Sequence, residues 1–526
     1  YPPVSAVFSD RTVCNIGAQA EIQRPPQTRH YKDVPVRQDD VTMITTTQSG
    51  PMMDDRFLYE RISQRLLEQI GAGTFTVGQK LPSVRRMSEL FKVSVNTVMQ
   101  SYRQLEAEGY LDIRPQSGVY VRSSGIHDIP EPDGSRYPLL PVEVSLSEQV
   151  LHYMELHTDP NMVRLGIALP GPEVLPVDRV MATLRDVTRH HGLEVWDYMH
   201  PNGNALFTHH LARRSLSYQT PVTAEDIIVT SGAMEALSLA LRSVSRPGDT
   251  VAVESPTYYG SLLLLKTHQR KVVEVPTHPR YGISLTALEK VFQSGGVAAC
   301  MVSPNAQNPL GFTMSEERKQ ALVALSARYQ VPLIENDVWG DTVYQDGALP
   351  AKAFDKEGLV LYCNSFSKTL MPGLRIGWAA AGRFQKRFRE LKQLSTITST
   401  SISQIVMGRL LESGFYAQHQ RDLRLQLSRQ VEDMSEEVRH WFPDGTRLTR
   451  PTGGCVLWVR LPGRVDTVAL FQRAAERGIH VFPGGVFSLD QKHADYIRLN
   501  AGSPVTAAVR RALRWLGEMA AELAAG

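Results

Sequence analysis

From about residue 161 onward, apolar runs alternate with helical patterns, and this alternation constrains the fold more than any other feature of the sequence. β-like runs lie at 227–230, 250–254, 272–275, 297–302, 331–334 and 359–362, with helical stretches such as 233–242 and 316–328 between them. Strands that alternate with helices predict an open α/β sheet, which binds its ligand at the carboxyl ends of the strands. A long helical region at 381–440 precedes a smaller α+β part, with β-like runs near 455–460, 481–482 and 496–499.

One lysine stands where a predicted strand ends, in the sequence Ser-Phe-Ser-Lys-Thr-Leu-Met-Pro-Gly-Leu-Arg-Ile-Gly-Trp. Lys368 is flanked by Ser365 and Ser367 and is followed by Arg375, so groups that suit a phosphate surround one amine. An amine used in Schiff-base chemistry must lose its proton, which partial burial and nearby cations favour. A lone lysine is more often a solvated surface charge, but this cluster indicates an aldehyde cofactor with a phosphate, and pyridoxal 5'-phosphate is the candidate.

Two further strand ends carry small or aromatic residues. Ser231, Gly232 and Ala233 form a turn that opens a helix, and the backbone N–H groups of such a turn suit a phosphate. The alternative is an ordinary helix cap. Tyr258 follows the strand at 250–254 and can stack on a planar ring, although it can equally be a packing residue.

Two polar residues follow the next strands. Asn308 can donate a hydrogen bond to a phenolate oxygen, or it can serve the turn chemistry of its Pro- and Asn-rich surroundings. Asp337 comes directly after a buried apolar strand, where a carboxylate is costly unless it is paired. A protonated pyridine nitrogen is the partner that would justify this position.

Residues 54–122 have a different pattern, which predicts three helices and a two-stranded wing. Leu58, Ile62, Leu66 and Ile70 recur at every fourth position, as on the inner face of a helix. Ser83 and Ser94 can cap two further helices, and short β-like runs at 110–114 and 118–121 follow, joined by 115–117. A winged helix-turn-helix of this kind lays its third helix in the major groove of double-stranded DNA. A solvated helical face is the alternative.

The remaining segments and the composition limit the possibilities. Four cysteines lie far apart and form no C-x-x-C, so neither disulfides nor a metal site is expected. No run of 18 apolar residues predicts a membrane span, and a cytoplasmic protein is expected. Residues 1–53 show no periodicity and suggest a disordered tail or a non-native extension. Residues 123–160, rich in proline, predict a stiff tether with one helix-like piece at 146–156 that docks on the next domain.

The sequence L-P-S-V-R-R-M-S-E-L-F-K-V-S-V-N-T-V resembles the GntR family of bacterial regulators, and the likeness extends over 54–122. This resemblance implies DNA binding near the helix-turn-helix and the wing tip, through Ser83, Arg85, Arg86, Ser94, Asn96, Thr97 and Gly118. Val95 departs from the family, because many relatives carry an arginine there.

Residues from about 161 to 515 resemble the fold-type I enzymes that depend on pyridoxal phosphate, the aspartate aminotransferase superfamily. The resemblance implies Lys368 as the Schiff-base lysine, Asp337 on the pyridine nitrogen and Asn308 on the ring oxygen, with Tyr258 stacked on the ring. The phosphate ligands that it implies are Ser231, Gly232, Ala233, Ser365, Ser367 and Arg375, with Tyr198 from the other subunit of a homodimer. Arg498 would bind the α-carboxylate of a substrate. Trp339 departs from the family, which usually has a tyrosine two or three residues after the aspartate.

Together the two resemblances predict a multi-domain protein of the MocR type. A winged helix-turn-helix at 54–122 and a linker at 123–160 would precede an aminotransferase-like α/β domain at 161–526, with a large part at about 205–420 and a smaller α+β part at 421–526. The implied function is a transcription regulator that senses an amino-acid or amine effector. An active aminotransferase with a DNA-binding appendage is the alternative, and a cofactor-free dimerisation domain is a third.

Overall fold

The structure is a computed structural model that describes residues 57–71, 74–114, 117–122, 129–134, 139–144, 149–156, 159, 161–220 and 222–525. The predicted tail at 1–53 lies outside these residues, as do Pro115 and Gln116 of the predicted wing turn.

The N-terminal module, residues 57–122, contains three helices and a two-stranded antiparallel wing. Its elements are α1 (Leu58–Gly71), α2 (Val84–Phe91), α3 (Val95–Ala107), β1 (Leu111–Arg114) and β2 (Gly118–Val121). Both predicted caps are confirmed, since Ser83 Oγ accepts from the backbone N–H of Arg86 and Ser94 Oγ from that of Thr97. Leu66, Val98 and their neighbours bury the inner faces, so the module has its own core.

The C-terminal domain is built on a mixed sheet, which confirms the α/β prediction. Its strands run in the order β3-β7-β6-β9-β10-β11-β12-β5, and β8 pairs with β7. The bounds are β3 (Val142–Glu143), β5 (Ile227–Thr230), β6 (Thr250–Ser255), β7 (Lys271–His278), β8 (Gly282–Ile283), β9 (Val297–Val302), β10 (Leu333–Asn336), β11 (Val360–Ser365) and β12 (Gly377–Ala380). Strands β7, β6, β9, β10 and β11 are parallel, and β12 is antiparallel to both of its neighbours.

Helices cover both faces of this sheet. The helices of the C-terminal domain up to the long α14 are α4 (Gln149–Leu156), α5 (Val177–His190), α6 (Gly192–Trp196), α7 (Ala205–Ser215), α8 (Ala233–Val244), α9 (Tyr259–Thr267), α10 (Leu285–Gln293), α11 (Glu316–Tyr329), α12 (Gln385–Thr396), α13 (Ser401–Glu412) and α14 (Phe415–Trp441). Helix α8 packs on one face of the sheet, where Ala236 and Leu237 meet Ile334. Helix α11 packs on the other face, where Leu322 and Leu333 share a core.

The smaller α+β part is also confirmed. It contains a four-stranded sheet in the order β13-β14-β17-β16 and a short parallel pair, β15 with β4. The bounds are β4 (Val163–Arg164), β13 (Arg447–Leu448), β14 (Val456–Arg460), α15 (Thr467–Glu476), β15 (Ile479–His480), β16 (Phe482–Pro483), β17 (Tyr496–Asn500) and α16 (Ala507–Ala525). Among the described residues, no helix has the length and apolar character that crossing a membrane requires.

The predicted tether differs from a free linker in the parts that the structure describes. Strand β3 extends the edge of the main sheet by pairing with β7, and Val150 and Tyr153 of α4 are buried in the core of the C-terminal domain. The docking helix predicted at 146–156 is therefore confirmed over α4. Apolar anchors and backbone pairing hold this segment on the domain, which proline content alone did not reveal.

The module and the segment 129–134 that follows it contact the C-terminal domain through buried ion pairs. Arg280 pairs with Glu108 at 2.9 Å and with Glu131 at 2.7 Å, and Arg318 of α11 pairs with Glu60 of α1 at 3.3 Å. Both side chains of the Arg318–Glu60 pair are 2% exposed. We call this contact the interdomain interface.

Two hydrogen bonds extend the interdomain interface along the start of α11. The hydroxyl of Tyr59 donates to Ser315 Oγ at 2.7 Å, and Gln100 Nε2 donates to Glu317 Oε1 at 2.7 Å. Gln100 belongs to α3, the predicted DNA-reading helix. The end of this helix that carries Asn96 remains exposed.

Candidate functional site

A cavity of about 270 Å³ lies at the edge of the main sheet where the parallel strands have their carboxyl ends. Strands β5, β9, β10 and β11 each deliver a polar residue to this edge. We call it the cofactor cavity. Its walls are Met154, Ile167, Ala168, Ala233, Met234, Leu237, Tyr258, Tyr259, Ser303, Asn308, Asn336, Val338, Trp339, Ser365, Ser367, Lys368, Arg375, Phe482 and Arg498.

Lys368 follows β11 and reaches into the cofactor cavity. Its ammonium donates to the backbone carbonyl of Ala168 and lies 5.1 Å from the centre of the Trp339 ring. Burial disfavours the charged form and lowers the pKa of Lys368 to about 8. Among the described residues, no carboxylate lies within ion-pair distance of this amine, so its neutral form is more accessible than that of a solvated lysine.

One end of the cofactor cavity is built from a glycine turn, a helix start and an arginine. Gly232 has φ +90°, and a Cβ there would lie 2.4 Å from Arg375 Nη2. Arg375 Nη2 in turn donates to the carbonyl of Ser231 at 3.1 Å. Helix α8 begins at Ala233, so its first N–H groups and its dipole point to the same place.

Two serines complete this end of the cavity. Ser365 Oγ and Ser367 Oγ share a hydrogen bond of 2.9 Å, and the backbone N–H of Ser367 donates to Ser365 Oγ. Hydroxyls, a guanidinium and a helix N-terminus are the donor set that a phosphate requires. The structure therefore brings the predicted phosphate ligands Ser231 to Ala233, Ser365, Ser367 and Arg375 together.

Arg498 of β17 is the third basic residue of the cofactor cavity. It is 1% exposed, its Nη1 donates to Asn308 Oδ1 at 3.0 Å, and its Nη2 donates to the carbonyl of Gly166. Its Nε, which is buried, has no partner among the described residues. No carboxylate of these residues pairs with Arg498, and burial lowers the pKa of its guanidinium. A buried guanidinium in this condition fits a ligand carboxylate.

Tyr258 also lies in the cofactor cavity. Its ring is 4.7 Å from that of Tyr259, and burial raises the pKa of its phenol. Trp339 is buried and faces Lys368, so an indole stands where a phenol was expected from the resemblance. An indole donates one hydrogen bond but cannot exchange a proton.

Asp337 directly follows β10 and is buried. Among the described residues, Asn336 lines the cofactor cavity and Asp337 does not. The two oxygens of Asp337 instead accept from Asn305 Nδ2 at 2.9 Å and from the hydroxyl of Tyr362 at 2.7 Å. Asn305 Oδ1 accepts from Lys319. Burial raises the pKa of Asp337 to about 6.

Sequence reasoning did not single out Asn336 or the network around Asp337. The period of a strand was the available signal, because residues two apart share a face. Asn336 lies on the face of Ile334, which meets α8, and Asp337 lies on the other. Nothing local in the sequence linked Asp337 to Lys319.

Tyr198 does not line the cofactor cavity of its own chain. It is 78% exposed, and Trp196 nearby is 89% exposed.

The predicted DNA-contacting residues lie at one end of the module. Arg85, Arg86 and Asn96 are exposed around the turn between α2 and α3, while the hydroxyls of Ser83 and Ser94 cap these helices. Gly118 has φ +127°, and a Cβ there would lie 2.4 Å from Lys80 Cε. The positive φ favours glycine at this end of the wing, whereas the Lys80 side chain is flexible and can move aside.

Comparisons with known proteins match two regions of the chain to two different families. The aminotransferase class I and II family matches residues 161–516, and the gntR family of bacterial regulatory proteins matches residues 58–121. The HTH-type transcriptional regulator YjiR of Escherichia coli is 35% identical over 88% of this chain and 98% of its own length. The regulator YdcR of the same organism is 34% identical over 88% and 99%.

A solved structure shares the fold of the C-terminal domain. The kynurenine aminotransferase of Pyrococcus horikoshii, in complex with PMP, KYN and KYA, is 27% identical and superposes with a TM-score of 0.67. The match covers 72% of this chain and 95% of that one. The module that precedes the aminotransferase fold accounts for much of the remainder.

Proposed function

We propose that this chain, which belongs to the aminotransferase class I and II family and carries a DNA-binding domain of the gntR family, is a transcription regulator that responds to an amino acid or amine. Its relatives of similar length are named as HTH-type transcriptional regulators. Pyridoxal 5'-phosphate is the cofactor of the aminotransferase family. A regulator of this kind acts in the cytoplasm, where the chromosome lies.

One observation carries the proposal that the cavity binds an amino acid. The buried Arg498 lies beside the cavity of Lys368 and has no carboxylate partner among the described residues. A planar guanidinium binds a carboxylate through two parallel hydrogen bonds, so Arg498 is the group that would hold the α-carboxylate of an amino acid. Asn308 already orients one of its nitrogens.

The remaining residues would hold the cofactor. Pyridoxal phosphate supplies an aldehyde that reacts reversibly with primary amines. Lys368 offers an amine whose lowered pKa makes its neutral form more accessible, and Arg375 with the turn at Gly232 offers the phosphate site. Tyr258 offers an aromatic face for the ring. An effector amine would replace Lys368, whose side chain would then be free to move.

Regulation requires that the effector distinguish two states of the protein. A ligand changes DNA affinity only by the difference between its affinities for the two states. Replacement of Lys368 and capture of a carboxylate by Arg498 are interactions that differ between the free and the bound cavity. We propose that the smaller α+β part, which carries Arg498 on β17, moves on effector binding.

We also propose that the chain forms a homodimer. The exposed Tyr198 and Trp196 support this, because large aromatic side chains with this exposure are typical of protein interfaces. Tyr198 would then reach the phosphate site of the second copy. Sedimentation of the purified full chain tests the assembly, and Tyr198→Phe should weaken cofactor binding without changing the assembly.

The regulator proposal is tested with the cofactor-loaded full chain. A duplex is first selected by this protein from a random DNA library, and its affinity is then measured with and without each common amino acid at saturation. We expect at least one amino acid to change both the visible absorption of the cofactor and the DNA affinity, and Lys368→Ala to abolish the response. An amino acid that changes the spectrum but leaves DNA affinity unchanged in every case would contradict the proposal.

An active aminotransferase is the second candidate, and the intact Lys368 and Arg498 favour it. The indole of Trp339 in place of a phenol argues for slow turnover. The same protein, given amino donors and a panel of keto acids, distinguishes the two functions. Sustained turnover of about 1 per second, a typical enzyme rate, would favour the function of an aminotransferase.

A further inference from the structure

Helix α4, in the segment that joins the module to the C-terminal domain, packs on the smaller α+β part. The ring of Tyr153 lies 4.4 Å from that of Phe471 of α15 and 5.9 Å from that of Phe482 of β16. His480 Nε2 of β15 donates to the backbone carbonyl of Tyr153 at 2.9 Å. The helix is therefore fixed on the part of the molecule that carries Arg498.

Three apolar side chains share one face of α4. Val150, Tyr153 and Met154 are three and four positions apart, which brings them to the same side of a helix. Val150 and Tyr153 are buried. Met154 is only partly buried and is one of the walls of the cofactor cavity. Val150 and Tyr153 thus dock the helix, while Met154 presents an apolar surface to whatever occupies the cavity.

One short backbone segment holds both groups that would meet an amino acid. The carbonyl of Ala168 accepts from the ammonium of Lys368, and the carbonyl of Gly166 accepts from Arg498 Nη2. Because two residues span at most about 7 Å, these two carbonyls lie close together. Ile167, the residue between them, is also a wall of the cavity. An amino acid that meets the cofactor beside Lys368 and places its carboxylate on Arg498 would therefore lie against Ile167.

Phe482 connects the carboxylate end of the cofactor cavity with α4. Its ring is buried, lines the cavity and lies 5.0 Å from Cζ of Arg498. The same ring contacts Tyr153, so Met154, the next residue, faces the cavity near the place where the carboxylate would bind. A charged side chain beside Met154, Ile167 and Phe482 would exchange its water of hydration for apolar groups, which is unfavourable.

We propose that the effector is an amino acid with a large apolar side chain, and that this side chain packs against Met154 and Ile167. The inference rests on the proposed function, because it requires that an amino acid bind beside Lys368 and Arg498. Burial of an apolar side chain is favourable roughly in proportion to the area that it removes from water. Methionine is unbranched and adapts to side chains of different shapes, so a class of amino acids is expected and not one compound.

A contact with α4 would connect the effector to the chain that leads to the module. Strand β3 and helix α4 both lie in this segment, and β3 pairs with β7 through Val142 and Glu143. A large apolar side chain would favour the docked position of α4, whereas a small one would make fewer contacts with Met154. The two kinds of amino acid would differ in the state of the segment that they favour, as regulation by a ligand requires.

The experiment titrates the cofactor-loaded full chain with leucine, phenylalanine, alanine, aspartate and lysine, and follows the visible absorption of the cofactor. We expect half-saturation by leucine and phenylalanine at concentrations about tenfold or more below that of alanine, the usual worth of added methylene groups in an apolar pocket. Met154→Ala should raise the half-saturating concentration of leucine roughly tenfold and change that of alanine by less than about twofold. Met154→Leu, which is similar in volume, should keep the wild-type preference.

Met234→Ala is the matched control, because it removes the same side chain from the phosphate end of the cavity. Met234 follows Ala233 in the first turn of α8 and is also a wall residue. Its loss should affect cofactor uptake and not the order in which amino acids bind. An equal loss of the preference for leucine in both alanine variants would overturn the inference. A wild type that binds aspartate or lysine more tightly than leucine would also overturn it, even if Met154→Ala docks α4 poorly.

Hydrogen exchange gives a readout that does not depend on the absorption of the cofactor. Leucine should slow exchange of the backbone amides of α4 in the wild type and in Met154→Leu, and this protection should be lost in Met154→Ala. Equal exchange of wild-type α4 with and without bound leucine would contradict the contact. A wild type whose absorption responds to aspartate or lysine alone contradicts this inference but not the proposed function, whereas one that responds to no amino acid contradicts both.

Discussion

The cofactor cavity and the interdomain interface both bury charged side chains, but they leave them in opposite conditions. At the interface, Arg280 is neutralised by Glu108 and Glu131, and Arg318 by Glu60. In the cavity, the buried Arg498 and the half-buried Lys368 have no carboxylate partner among the described residues, and neither does the exposed Arg375. The cations Arg280 and Arg318 of the interface are therefore paired within the chain, whereas the cations of the cavity require a bound ligand to neutralise them.

This difference separates stability from function in the molecule. A buried ion pair adds little stability compared with apolar packing, but removing one partner is costly because the other charge stays buried. A buried cation without a partner lowers the stability of the protein while no ligand is bound. A site with such a cation is suited to an anionic ligand. The unpaired cations of the cavity lower the free energy of unfolding but favour the binding of an anion. The interface is sensitive to the loss of any one of its charges.

The largest expected effect comes from Lys368→Ala. Without the amine, the cofactor has no covalent bond to the chain, and the visible absorption of lysine-bound cofactor should disappear. Lys356→Ala, which changes an exposed lysine, is the control and should keep the band. If Lys368→Ala kept the band, another amine would hold the cofactor and the cavity would be assigned wrongly.

Arg280→Ala tests the interface. It leaves Glu108 and Glu131 without their cation, and we expect docking of the module to weaken by about 3–5 kcal/mol, as for other broken buried pairs. Hydrogen exchange of the backbone amides of α1 and α3 measures this, and exchange should become faster while the circular dichroism is unchanged.

Arg328→Ala is the matched control for Arg280→Ala. Arg328 pairs with Glu289 at 2.7 Å, but it is 63% exposed, so its removal should cost at most about 1 kcal/mol and leave exchange in the module unchanged. Equal effects of the two variants would show that pairing at the interface has no special role.

The pH dependence of cofactor capture tests the cavity again. Burial lowers the pKa of Lys368 to about 8, and only the neutral amine attacks an aldehyde. Because a lowered pKa makes the neutral form available at lower pH, the capture rate of the apoprotein should rise about tenfold per pH unit below about pH 8 and then level off. A rate still rising at that slope above about pH 9 would mean that the amine is solvated.

The smallest effect is expected from Ser94→Ala. Ser94 Oγ caps α3 by accepting from the N–H of Thr97 at 3.1 Å, and loss of such a cap costs about 0.5–2 kcal/mol. Urea unfolding of the module, followed by circular dichroism, should shift by this amount, while cofactor capture stays unchanged. The variant thus separates loss of the module's own fold from loss of its docking.

The caps and strand ends could be predicted from the sequence because their causes are local. Ser94 and the first turn of α3 are neighbours in the chain, and Lys368 directly follows an apolar run. The hydrogen-bond partners of Asp337 could not be predicted, because Asn305 and Tyr362 belong to other parts of the chain and no local pattern links them to it.

The interdomain interface was not predicted for a different reason. Arg280 and Glu108 are 172 residues apart, and nothing in the pattern around either residue indicates the other. Each reads as a solvated surface charge. Pairs of this kind follow from how folded domains meet, which a single sequence does not show.

Helix α11 joins the two regions that were compared. Arg318 binds Glu60 of the module, and its neighbour Lys319 holds Asn305, which holds Asp337 at the end of β10. Two adjacent residues of α11, Arg318 and Lys319, therefore belong to the docking contact and to the network behind the cofactor cavity. An effector that shifts Asn305 would change the free energy with which the module docks, because α11 connects the two places. Linkage then requires that DNA, if it binds the undocked module better, change the affinity for the effector by the same factor.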